Sequence, residues 1–155
     1  MKKNIFAILL VMWMVFIFSM SSQNSQESSN TSGGTIKMVL STMPKFNEQP
    51  EEVQEKVVEN LQFIVRKSAH FTAYMILGSL VTLLLLAINK KPQFALLICV
   101  LYAISDEIHQ LFVPGRSGEI RDVMIDSSGS CVGIILTLLF IKLIYIRRNN
   151  KNRVK

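Results

Sequence analysis

The 155-residue sequence has two cysteines, two histidines, one tryptophan and four prolines. Cys99 and Cys131 both lie within apolar stretches, so they supply neither a disulfide framework nor a thiolate-rich metal site, and they read as small packing residues. No His-Glu-x-x-His or comparable ligand spacing is present, so neither a metal nor a cofactor is expected. There is no glycine-rich phosphate loop and no internal repeat. The serines fall mostly in the first polar stretch, so no Ser-His-Asp arrangement can be read. Aromatic residues make up 8% of a chain that is 50% hydrophobic, and its mean hydropathy is +0.35. An ordinary soluble domain is thereby excluded. What remains is a small polytopic membrane protein whose helices pack against one another in lipid.

Charge of one sign is also missing where it matters. Four segments are candidate spans: 5–20, 69–88, 93–112 and 123–146. Lys2, Lys3, Lys90, Lys91, Lys142, Arg147, Arg148, Lys151, Arg153 and Lys155 flank or end these spans on one side, with no acid among them. All 11 acidic residues fall on the opposite side or in that half of the membrane, with the remaining basic residues. The positive-inside rule then puts both termini in the cytoplasm of a multi-pass cell-membrane protein. The net charge of +6 reflects these anchors. It implies no nucleic-acid surface, and the basic tail at 147–155 faces anionic lipid. The first segment has two readings, a cleaved signal peptide and a retained anchor. Trp13, Phe16 and the absence of alanine around Ser19-Met20-Ser21 favour the anchor.

Between the spans, 21–49 is rich in Ser, Asn, Gln and Gly where it begins and reads as a flexible external segment. Pro50-Glu51-Glu52 opens a helix, with proline in the first turn and acids at the positive end of its dipole. Val53, Val57, Leu61 and Ile64 give it one apolar face, so 50–66 is expected to be an external amphipathic helix lying on the membrane surface, although packing on other loops would give the same stripe. Asn89-Lys90-Lys91-Pro92 is the tight link between the second and third spans, and Pro114-Gly115 marks a turn before the fourth.

The third span ends in a polar knot, Ser105-Asp106-Glu107-Ile108-His109-Gln110. A helix over 93–112 would be roughly 30 Å long, with Asp106 roughly 10 Å inside the hydrocarbon boundary. Ionisable groups at that depth are costly and mark functional sites. Tyr102, Asp106 and Gln110 share one face, and Glu107 points about 100° away. In the second span Lys67, His70 and Tyr74 stack on one face. Taken singly, Lys67 could be a snorkelling lysine and Tyr74 an interfacial aromatic. Asp122 and Asp126 repeat the i, i+4 spacing in the fourth span, where Gly129 and Gly133 form a small-xxx-small pattern suited to close helix packing. Arg116, Arg121 and Lys67 are the candidate cations for the carboxylates. A structural salt-bridge network is the competing account of the whole set.

Four ordered blocks together resemble one family. Phe18-Ser19-Met20-Ser21-Ser22-Gln23, Lys67-Ser-Ala-His70-Phe71-Thr-Ala-Tyr74-Met-Ile-Leu77-Gly78 and Ser105-Asp106-Glu107-Ile-His-Gln110-Leu-Phe112-Val-Pro114-Gly115-Arg116, with Asp122 and Gly129 following, look like the VanZ-like family. The resemblance runs from about Ile5 to Ile146. Asn is usual in that family where this chain has Asp126, which adds a negative charge here. The family's namesake lowers susceptibility to the lipoglycopeptide teicoplanin. The resemblance therefore implies a multi-pass envelope protein and a link to cell-wall antibiotic resistance, but it supplies no reaction.

The expected fold is an all-α membrane protein, with four transmembrane helices in a bundle. Its segments are a first transmembrane helix (1–20), the flexible connector (21–49), the amphipathic helix (50–66), a three-helix membrane core (67–146) and the basic tail (147–155). Lys67, His70, Tyr74, Asp106, Glu107, Gln110, Arg116 and Asp122 are expected to form an outer-leaflet pocket that binds a membrane lipid or lipid-linked envelope molecule, with Arg116 and Lys67 holding its phosphate or carboxylate. The alternative is an enzyme in which His70 and Asp106 or Glu107 are acid and base on a lipid-linked substrate. Proton or ion transport is disfavoured, because the cytoplasmic half of each span lacks ionisable residues apart from Lys142.

Overall fold

The computed structural model describes residues 2–23 and 25–153, with side chains from 3 to 23 and from 33 to 151; residues 1, 24, 154 and 155 of the expected segments lie outside the described residues. Helices follow one another without a strand among the described residues: α1 (Lys2–Ser21), α2 (Ser25–Leu40), α3 (Pro44–Asn47), α4 (Glu51–Ala87), α5 (Phe94–Gln110) and α6 (Ile120–Arg153). Three stretches are long and apolar enough to cross a membrane: Lys3–Ser21, Glu51–Ala87 and Ile120–Lys151.

The expected third span is shorter than the sequence suggests. α5 has 17 residues and stops at Gln110. The next residues cap it and enter a type II turn, in which Arg116 N–H donates to Val113 C=O at 3.1 Å and Gly115 takes a positive φ of 75°. Pro114 fixes the first central position of that turn and prevents the helix from continuing.

The expected amphipathic helix is also not a separate element. It is the first part of α4, which runs unbroken for 37 residues, about 55 Å at the usual rise. No proline or glycine interrupts 51–77, and good helix formers fill the junction at Arg66-Lys67. α4 does end where expected. Asn89 adopts a left-handed φ of 55°, Lys90 N–H reaches Leu85 C=O at 2.8 Å, and Asn89 N–H reaches Leu86 C=O at 3.2 Å. These bonds close a Schellman cap.

The stretch read as a flexible connector contains α2 and α3. α2 lies against α4 with Gly33 buried beside Gln62, and Ile36 and Leu40, one turn apart, are partly buried. α3 begins at Pro44 and buries Phe46. The polar composition of the start of this segment hides the apolar positions near its end.

α4 is the central element, in contact with α1, α2, α5 and α6. Tyr74, Leu77, Val81 and Leu85 from α4, Ala95, Cys99 and Ala103 from α5, and Ile17 from α1 form the core. α6 approaches α4 most closely. A Cβ at Gly129 would strike the Phe71 carbonyl, and one at Gly133 would strike the Met75 carbonyl. The small-xxx-small pair thus packs helix on helix, as its spacing indicates. Trp13 Nε1 donates to Ala73 C=O at 2.8 Å and Tyr102 Oη donates to Met14 C=O at 2.7 Å, pinning α1 to α4 and α5. Outward-facing Leu97, Leu101, Leu136, Leu139 and Phe140 remain exposed, as a lipid-facing surface requires.

Candidate functional site

Four chain segments converge at the end of the molecule remote from Lys90. α1 contributes Ser21 and the residues after it, α4 contributes Arg66 to Tyr74, the end of α5 contributes Asp106 to Gln110, and the loop at Arg116 leads into Asp122 and Asp126 of α6. The i, i+4 spacings aim each set inward from its own helix.

At the centre lie His70, Asp106 and Asp126, each offering a ligand atom within 4.8 Å of the others. His70 Nδ1 stands 3.7 Å from Asp126 Oδ1. Asp126 is fully buried and Asp106 is 2% exposed. Ser21 Oγ donates to Asp106 Oδ2 at 2.7 Å. Among the described residues, Asp106 Oδ1, both Asp126 carboxylate oxygens and the buried Tyr74 hydroxyl have no hydrogen-bond partner.

Toward the mouth, Lys67 makes an ion pair with Asp122, joining α4 to α6. Arg116 Nε donates to the Gln23 carbonyl at 3.0 Å, joining the loop to the end of α1. Burial and the neighbouring Arg66 lower the Arg116 pKa, while Asp106, Glu107 and Asp122 oppose that shift. The guanidinium stays protonated throughout. Arg66 and Arg116 face one recess together with Glu119 and Asp122.

Two cavities meet here. One, of about 250 Å³, lies between α1 and α4 and has Phe16, Ile17, Met20, Val65, Ala69 and Ala73 as its apolar wall. The other, of about 90 Å³, is polar and is lined by Lys67, Gln110, Gly115, Ser117, Glu119 and Asp122. Arg66, His70 and Arg116 line both. The apolar slot and the polar recess thus share three lining side chains.

Of the residues singled out in the sequence, Lys67, His70, Gln110, Arg116 and Asp122 line the polar recess. Asp106 and Tyr74 lie behind it in the core, with their rings and carboxylates packed among α1, α4, α5 and α6. Glu107 faces elsewhere. It accepts from the Glu119 backbone N–H at 2.8 Å and from Gln110 Nε2 at 3.1 Å, clamping the loop that leads into α6. Arg121 lies over the Phe63 ring at 5.3 Å, outside the recess. Ser21 and Arg66 were not singled out as site residues. Ser21 carries one sign in the sequence, a run of hydroxyl residues at the edge of an apolar stretch, while Arg66 is visible only as the neighbour of Lys67.

The VanZ/LLP1 family model matches residues 6–141, and the chain belongs to that family. No curated protein and no solved structure matches the chain.

Proposed function

We propose that this VanZ/LLP1-family chain is a four-span membrane protein of the bacterial envelope, with both termini cytoplasmic, that binds an anionic amphiphile at its outer leaflet. The observation that supports the reading is that Arg66, His70 and Arg116 line both an apolar cavity and a polar one. An apolar slot of about 250 Å³ suits a hydrocarbon chain, and the adjoining recess suits a phosphate or carboxylate between Arg66 and Arg116. The ligand class is a lipid or a lipid-linked envelope molecule, and protection against teicoplanin-type lipoglycopeptides is the cellular role proposed with it.

The test is native mass spectrometry of the full chain in detergent with phosphatidylglycerol and with phosphatidylcholine. The reading expects phosphatidylglycerol to be retained preferentially, Arg116→Ala to abolish the preference and Arg116→Lys to weaken it, since lysine lacks the planar fork. Equal retention of both lipids by wild type overturns it. In a susceptible Gram-positive host, wild type and an equally abundant Arg116→Ala variant should then differ in the inhibitory concentration of teicoplanin.

A second reading, acid–base chemistry on a lipid-linked substrate, is favoured by the proximity of His70 to Asp106. Glu107 has the weaker claim to that chemistry, because both of its oxygens already accept hydrogen bonds.

A further inference from the structure

Arg66, Arg116 and Lys67 line the polar recess, and buried carboxylates lie beneath it. Asp106 and Asp126 are more than nine-tenths buried, and three of their four carboxylate oxygens have no hydrogen-bond partner among the described residues. The Tyr74 hydroxyl, on a side chain with no exposed surface, is likewise without a partner among the described residues. Lys67 is engaged with Asp122. His70 is the basic group that reaches Asp126, at 3.7 Å, longer than a hydrogen bond. Orphaned anionic oxygens in a dry interior demand either protons or a cation.

We propose that His70, Asp106 and Asp126 bind one divalent transition-metal cation, each giving one ligand atom, with the Tyr74 hydroxyl beside the site. One imidazole nitrogen and two carboxylates form a mixed N/O donor set suited to Zn²⁺ or Mn²⁺. The three ligand atoms already lie within 4.8 Å of one another. Metal–ligand bonds of about 2.1 Å put such atoms at most about 4 Å apart, so the side chains need to move inward by about an ångström. The donors come from three helices, α4, α5 and α6, and Ser21 Oγ of α1 holds the other oxygen of Asp106. Outer hydrogen bonds of that kind fix the orientation of a ligating carboxylate. His70 also lines both cavities, so a cation there would sit at the floor of the recess. The proposal stands without the anion-binding reading, because it rests on the buried carboxylates and not on the arginines.

The experiment uses the full chain purified in detergent, stripped with chelator, exposed separately to Zn²⁺ and to Mn²⁺, freed of excess by gel filtration and assayed by elemental mass spectrometry. One ion per chain is expected for at least one of the two metals. His70→Ala and Asp106→Asn should lower the affinity about a hundredfold, and Tyr74→Phe roughly tenfold. Exposed Glu52→Gln is the control and should bind as wild type. In case the ligand variants do not fold, two readouts on wild type decide: a melting temperature that rises with the retained metal, and extended X-ray absorption fine structure showing the outer-shell scattering of a bound imidazole. Folded wild type that retains neither ion overturns the proposal. Equal retention by folded His70→Ala and Asp106→Asn, or fine structure without imidazole scattering, overturns it as well.

Discussion

Ser21 Oγ donates a 2.7 Å hydrogen bond to Asp106 Oδ2 across 85 residues of sequence, and both side chains are buried. The bond fixes the end of α1 against the polar end of α5. Removing its donor leaves a buried carboxylate oxygen unsatisfied. Ser21→Ala should therefore destabilise the protein by about 1–3 kcal/mol, read as a lower melting temperature in detergent. Ser21→Thr, which keeps the hydroxyl, should recover most of the loss. An unchanged melting temperature in Ser21→Ala would mean that this bond contributes nothing to holding α1.

The Lys67–Asp122 ion pair joins α4 to α6 with side chains 18% and 17% exposed. That degree of burial places it between solvent-screened pairs and fully buried ones. A double-mutant cycle with Lys67→Met and Asp122→Asn should return a coupling of about 1–2 kcal/mol, above what exposed pairs give. The exposed Glu52–Lys56 pair in the first turns of α4 is the internal reference and should give about 0.5 kcal/mol or less.

The chain announced some of this arrangement in advance, and the reasons differ residue by residue. Lys67, His70 and Tyr74, or Asp122 and Asp126, share a face because of helix geometry alone, so their grouping was legible from spacing. The stop at Asn89 and the turn at Pro114-Gly115 were legible because left-handed and proline-fixed backbone are local properties. The rotation of one helix about its axis relative to another is not local. It depends on distant pairs such as Trp13 with the Ala73 carbonyl. For that reason the partner of Ser21 and the turn of Glu107 toward Glu119 could not be read. The continuity of α4 was hidden differently. A change from amphipathic to wholly apolar pattern at residue 67 looks like a boundary between elements, yet no backbone breaker stands there.

The α4–α6 contact rests on glycine. A methyl group at Gly133 would meet the Met75 carbonyl and, at 3.0 Å, Ser79 Oγ, whose hydroxyl also donates to the Gly133 carbonyl at 3.2 Å. Gly133→Ala must push the helices apart and should lower stability by about 1–3 kcal/mol. Gly34, which has open space around it, should accept alanine without such a loss. Paired thermal melts of the two variants check the contrast.

The number of crossings can be argued from the ends of α4. Its C-terminal end is tied to α5 by a short link through Lys90 and Lys91. The far end of α5 leads into Arg116, which shares a recess with Arg66 and Lys67. Twenty residues separate Lys67 from Ala87, about 30 Å along the helix, which equals the hydrocarbon thickness. If that part of α4 crosses the membrane, α5 must return across it, although its 17 residues are at the short limit for a span. Cysteines introduced at the exposed positions Lys91 and Ser117, in a chain carrying Cys99→Ala and Cys131→Ala, should then differ in intact cells. A membrane-impermeant maleimide should label Ser117→Cys at once and Lys91→Cys only after permeabilisation. Labelling of both from the same side would make α5 a re-entrant segment and remove the fourth crossing.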